Sequence, residues 1–184
     1  MIVRRTAETR RGERGFSLAE VMVASALLLV ILLALFGLIT AGMQRAYGGR
    51  KMTEATILAQ TVMERANIIA PHALLSAADT DTTASYTWTK TAASAGGTVT
   101  PAAESGSSTA VTQRNAWRTL LVNANLPATA SRPATLTVTM TPVPSGRNFG
   151  NAAMVRIIVD LSWWEWGRRP RTVRLQAMNL HTTP

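Results

Sequence analysis

The chain has 184 residues, no cysteine and a formal net charge of +9, which is room for one ordinary domain plus one membrane segment. Without cysteine, disulfides and thiolate metal sites are excluded. The basic surplus raises nucleic acid as a partner, but no recognition helix or stacking platform is visible in the sequence, so it ranks as a minor alternative.

The first 15 residues carry Arg4, Arg5, Arg10, Arg11 and Arg14 against Glu8 and Glu13, a net +3 of the total. Basic residues directly before an apolar span hold that side of the span in the cytoplasm. From Val21 to Met43 there is no charged residue over 23 positions. A helix of that length covers about 35 Å, against a hydrocarbon core of about 30 Å. The run Leu27-Leu28-Leu29-Val30-Ile31-Leu32-Leu33 leaves no polar face, so a soluble amphipathic helix is ruled out. A cleaved signal peptide has a shorter apolar core, of about 7 to 15 residues. A plain anchor accounts for the length but not for Glu20, a carboxylate at the edge of the apolar span, where an unpartnered charge is costly. Cleavage after Gly15 would give Glu20 a purpose, because the new amino terminus on Phe16 is a cation that Glu20 can neutralise on its own chain or on a neighbour.

The junction Arg14-Gly15-Phe16-Ser17-Leu18-Ala19-Glu20-Val21-Met22-Val23-Ala24 resembles the leader junction of type IV pilins and of type II secretion pseudopilins. That family has a glycine, then a hydrophobic residue that is usually phenylalanine, then a glutamate four positions further on. The resemblance implies cleavage between Gly15 and Phe16 by a prepilin peptidase, N-methylation of Phe16, and use of Glu20 in docking a subunit against its neighbour's terminal amine. It also implies other pilin or pseudopilin subunits, the inner membrane and its assembly platform as partners. The family's helix-breaking proline is absent, and Gly37 stands in its place.

Past Met43 the helical pattern continues and becomes amphipathic. Met52, Ala55, Ala59, Val62, Met63, Ala66 and Ile69 recur at spacings of three and four. Arg50, Lys51, Glu54, Gln60, Glu64 and Arg65 fall on other faces, with Arg50 and Glu54 spaced to pair weakly. Pro71 ends the pattern, giving one helix over about 16–69. Gly37, Gly42, Gly48 and Gly49 weaken it locally and read as points of flexibility or close approach. The expected organisation is a cleaved leader at 1–15, a helix at 16–70 embedded in the membrane over about 16–43, and a periplasmic globular domain at 71–184.

In that last part, residues 76–112 are rich in Ser, Thr, Ala and Gly. Tyr86-Thr87-Trp88-Thr89 alternates like a short strand, and Ala92 to Ser108 reads as a loop. Asp79 and Asp81 lack clustered oxygen ligands, so they read as a solvated turn and not as a calcium loop. Asn115 to Asn125 is a candidate short helix with Trp117, Leu120 and Leu121 on one side. Thr135 to Thr141 alternates strictly, with Leu136, Val138 and Met140 on one face. Val155 to Trp163 does the same through Val155, Ile157, Val159, Leu161 and Trp163. A turn at Glu165 to Pro170 leads into a third strand, Thr172 to Ala177. These features predict an α+β fold: a long amino-terminal helix, transmembrane in its first half, packed on a small antiparallel sheet. The pilin-like fold is what the family resemblance implies as well.

The ending, a strand closing in Trp163-Trp164, a turn Gly167-Arg168-Arg169-Pro170 and a strand Thr172-Val173-Arg174-Leu175, resembles PilV-like minor pilins and protein I-like pseudopilins of type II secretion. It implies a priming or tip subunit over a major one. One or two of Trp163, Trp164 and Trp166 are expected to cap the sheet core. Trp164 and Trp166 beside Arg168, Arg169 and Arg171 are the candidate partner contact, since Trp and Arg are enriched in binding hot spots. No catalytic constellation is present. His72 and His181 lack metal-ligand spacing, no phosphate-cradling glycine loop precedes a helix, and no cofactor is expected.

Overall fold

A computed structural model describes residues 16–69, 73, 83–93, 95–144, 149, 152, 154–165 and 169–180. Helix α1 runs over Leu18–Ile68, with no proline in its length. The chain divides into two compact units, 1–43 and 44–184. In the first unit every described side chain is exposed, as in Phe36 (71%) and Leu38 (70%). The hydroxyls of this stretch fold back on their own helix. Ser25 Oγ donates to the Met22 carbonyl at 2.9 Å and Thr40 Oγ1 to the Phe36 carbonyl at 2.8 Å, which satisfies them without water.

The second unit contains strands β1 (Ala84–Lys90) and β2 (Val99–Thr100), helix α2 (Thr109–Asn123), and strands β3 (Ala134–Val143), β4 (Met154–Glu165) and β5 (Arg169–Leu180). They form one five-stranded sheet in the order β2-β1-β3-β4-β5, every neighbouring pair antiparallel. The period-two patterns of β3 and β4 decide its buried face. Leu136 lies opposite Leu161, Val138 opposite Val159 and Met140 opposite Ile157, and all six are fully buried. The row extends through Trp88 on one side and Val173 on the other. The other face is polar, with Thr87, Thr137, Asp160 and Arg174 in one row. Strands β3, β4 and β5 are the expected meander, and β1 fills the free edge of β3.

The part of α1 within the second unit packs its Ala55, Leu58, Ala59, Val62, Met63 and Ala66 into the same core as the sheet. The chain is thus an α+β protein, a long apolar helix packed on an antiparallel sheet. Three alanines in that stripe let the helix backbone approach the sheet closely. Trp117 on α2 meets Trp88 edge to face, with centroids 6.1 Å apart.

Local boundaries differ from the sequence expectation. The helix stripe includes Leu58 and omits Met52, which is 45% exposed. Lys51 is buried, because its amine finds the Asn125 carbonyl and Glu54. Glu54 therefore pairs with Lys51 at 3.0 Å and not with Arg50. Helix α2 starts six residues early, capped by Ser108, whose hydroxyl accepts from the Val111 N–H. Within the expected loop, β2 pairs with β1. Strand β5 is longer at both ends, since its hairpin with β4 carries the pairing out to Glu165 and Arg169. Pro170 is tolerated there because β5 is an edge strand.

Candidate functional site

The amino-terminal candidates sit at the start of α1. Ser17 caps the helix: its hydroxyl accepts from the Glu20 N–H at 3.3 Å, and its carbonyl accepts from the N–H groups of Glu20 and Val21. Ser17-Leu18-Ala19-Glu20 has the Ser-x-x-Glu spacing of a capping box, of which the structure shows the Ser17 half. Glu20 lies in the first turn, where a carboxylate also faces the positive end of the helix dipole. This local role was legible in the sequence as spacing, beside any role toward an amine. Phe16 precedes the helix and is 80% exposed, and Gly15 lies outside the described residues.

The carboxy-terminal candidates belong to the second unit, at the turn end of the β4–β5 hairpin. Trp163 points into the core and is buried, while Trp164 lies on the opposite face, half-buried. The Arg132 guanidinium sits over the Trp164 ring, 5.6 Å from its centroid. Arg169 is exposed and registers with Glu165. Arg171 donates from Nε to Glu165 Oε2 at 2.7 Å, so its charge is largely compensated. Trp166 and Arg168 lie outside the described residues. Glu165 reaches over Gly48 on α1, where a Cβ would stand 1.9 Å from its Oε1. Sequence reasoning missed this contact and Arg132, because residues so distant in the chain share no periodic signal.

Beside this end, the carboxy terminus of α2 is held by two lysines. Lys90, fully buried on β1, donates from Nζ to the carbonyls of Val122 at 2.8 Å and Ala124 at 2.5 Å. Burial pushes its amine below the usual lysine range, and the Glu54 carboxylate partly opposes that. Lys51 donates to the Asn125 carbonyl, and Glu54 Oε1 accepts the Asn125 N–H at 2.6 Å. Helix carbonyls left without intrahelical partners are thereby satisfied. Among the described residues no group of three or more His, Cys, Asp and Glu stands close enough to hold a metal. His72, Asp79, Asp81 and His181 lie outside them.

Residues 10–36 match the family model of the prokaryotic N-terminal methylation motif. The chain is type IV prepilin-like. The match takes in Gly15, Phe16 and Glu20 and the first 19 residues of α1. A prepilin-like chain is the precursor of a pilin or pseudopilin, a class that is structural in role. Its apolar first half of α1 suits membrane anchoring. No curated protein and no solved structure matches the prepilin-like chain.

Proposed function

We propose that the chain is a minor pilin, cut between Gly15 and Phe16 by a prepilin peptidase and N-methylated on Phe16. The mature subunit is anchored in the inner membrane by about residues 16–43, with its carboxy-terminal domain in the periplasm. An inner-membrane platform then assembles it with other pilin subunits into a type IV pilus, as a priming or tip component. Packing of apolar helices drives assembly, and Glu20 sets the register against the terminal amine of a neighbouring subunit. No catalytic step is assigned to it.

The observation that carries this proposal is the methylation motif placed directly on the exposed apolar first part of α1. Such a surface is costly in water and has to be covered by lipid or by other helices. A pseudopilus subunit of a type II secretion system has the same chemistry, and a membrane-anchored binding module shares the anchor alone. Intact-mass analysis of the protein purified from its native membrane is the test. A mature chain that begins at methylated Phe16 is expected. A chain that retains Gly15, or that begins elsewhere, rules the proposal out. Incorporation into surface pili, as against secretion that fails on deletion, separates pilin from pseudopilin.

A further inference from the structure

We infer that the β4–β5 turn end of the second unit is a binding surface for the headgroups of anionic phospholipids. The inference rests on the reading of Val21 to Met43 as a membrane span.

Its first support is the direction in which α1 crosses the sheet. At one end Gly48 lies against Glu165, the residue that opens the β4–β5 turn. At the other end the Asn67 carbonyl accepts from Asn179 Nδ2 at 3.0 Å, near the last residue of β5. The hairpin therefore lies along the helix, with its paired Glu165 and Arg169 at the end where α1 enters the second unit. Gly48 is five positions past Met43. Whatever path the chain takes, five residues separate these points by no more than about 17 Å.

The second support is the chemistry gathered at that end. Arg45, Arg50 and Arg169 are exposed, and Arg132 is half-buried over Trp164. The carboxylates nearby, Glu54 and Glu165, are already paired with Lys51 and Arg171. Among the described residues no carboxylate forms an ion pair with Arg45, Arg50, Arg132 or Arg169. Among the described residues the opposite end gathers fewer cations: Arg156, which registers with Met178, is half-buried, Glu64 adjoins Arg65 on α1, and Met178 and Leu180 end β5. Tyr47, 43% exposed, and Trp164 add the two residue types that favour the headgroup level of a bilayer. Each arginine held at an anionic surface favours the docked state by about fivefold. Nucleic acid would use the same arginines, but it has no reason to lie where the chain enters a bilayer.

The test uses the full-length chain in nanodiscs of phosphatidylcholine, with and without phosphatidylglycerol. The absence of native cysteine allows a single fluorophore on Thr172→Cys, near the turn, or on Leu180→Cys at the far end. A lipid with a nitroxide headgroup reports proximity by quenching. Quenching at position 172 is expected to rise with phosphatidylglycerol, to fall with added salt, and to leave position 180 unaffected. Replacing Arg45 and Arg169 together by Gln should lower the docked-to-undocked ratio roughly 25-fold, with the thermal melt unchanged. Equal quenching in both lipids and in the double variant overturns the inference, since the tether alone then holds the turn near the bilayer. Displacement of the turn from anionic discs by duplex DNA at lower concentration than by free phosphatidylglycerol vesicles also overturns it. A chain that never enters the discs overturns the membrane-span reading itself, and the inference with it.

Discussion

A carboxylate in the first turn of a helix has a local reason to be there, and Glu20 has one in the positive end of the helix dipole that it faces. The proposed pairing with a neighbour's terminal amine is a separate demand on the same side chain. The two demands differ in what they ask of it. The Ser17 cap uses only the Glu20 backbone N–H, so losing the charge removes just the modest dipole term there, whereas neutralising an amine needs the negative charge. Glu20→Gln is therefore expected to insert in the membrane normally, with a loss of about 0.3–1 kcal/mol at the helix end. Crosslinking to other pilin subunits in the cell should fall to the level of Glu20→Ala. Crosslinking of the Gln variant at the wild-type level would leave Glu20 with its place at the helix end alone.

Among the elements, α2 is the one whose position depends on charge. Its carboxy-terminal carbonyls take Lys90 from β1, and the adjoining Asn125 takes Lys51 and Glu54 from α1. Three elements are tied together by groups that would otherwise need water. Lys90→Met keeps the volume but strands the Ala124 carbonyl and leaves the Val122 carbonyl with the Gly96 N–H alone, at a cost of about 1–3 kcal/mol near neutral pH. The pH dependence has a definite sign. Lys90 has a folded-state pKa below its unfolded value of 10.5, so between the two the unfolded chain binds more protons, and stability rises with pH. Denaturant melts should show the wild type gaining on Lys90→Met as pH approaches 10.5; a constant difference would mean that Lys90 is not desolvated. This clasp was not legible in the sequence, because Lys51, Lys90 and Val122 meet only through the fold. The strands were legible, since β3 and β4 alternate strictly and each alternation has one possible buried face. Helix α1 was legible from its uncharged span and three-four stripe, although Lys51 broke the rule that charge faces water. The start of α2 was missed because Thr109 to Gln113 offers only Ala110 and Val111 as apolar residues, too few to show a helical period, and the Ser108 cap is the clearest cue.

At the scale of the whole molecule, the two units are held together by different physics. The first, over its described residues, buries nothing, so it owes its surroundings all of its apolar cover. The second has a continuous core in which six residues of α1, from Ala55 to Ala66, close the inner face of the sheet. The helix is thus one element of secondary structure shared between a span that needs lipid or partner helices and a domain that needs the helix. It follows that the cooperative folding unit should begin near Gln44, well before the helix ends. A chain starting at Gln44 retains Gly48, Lys51, Glu54 and the whole stripe, and should be soluble and melt in one transition. A chain starting at residue 71 lacks the cover for Leu136, Val138, Val159 and Leu161, and a small domain cannot give up that much buried apolar surface. Near-ultraviolet circular dichroism, sensitive to the packing of Trp88, Trp117 and Trp163, should show native signal for the first chain and none for the second. Equal melting temperatures for the two would mean that the helix stripe is dispensable to the core, which its burial does not allow.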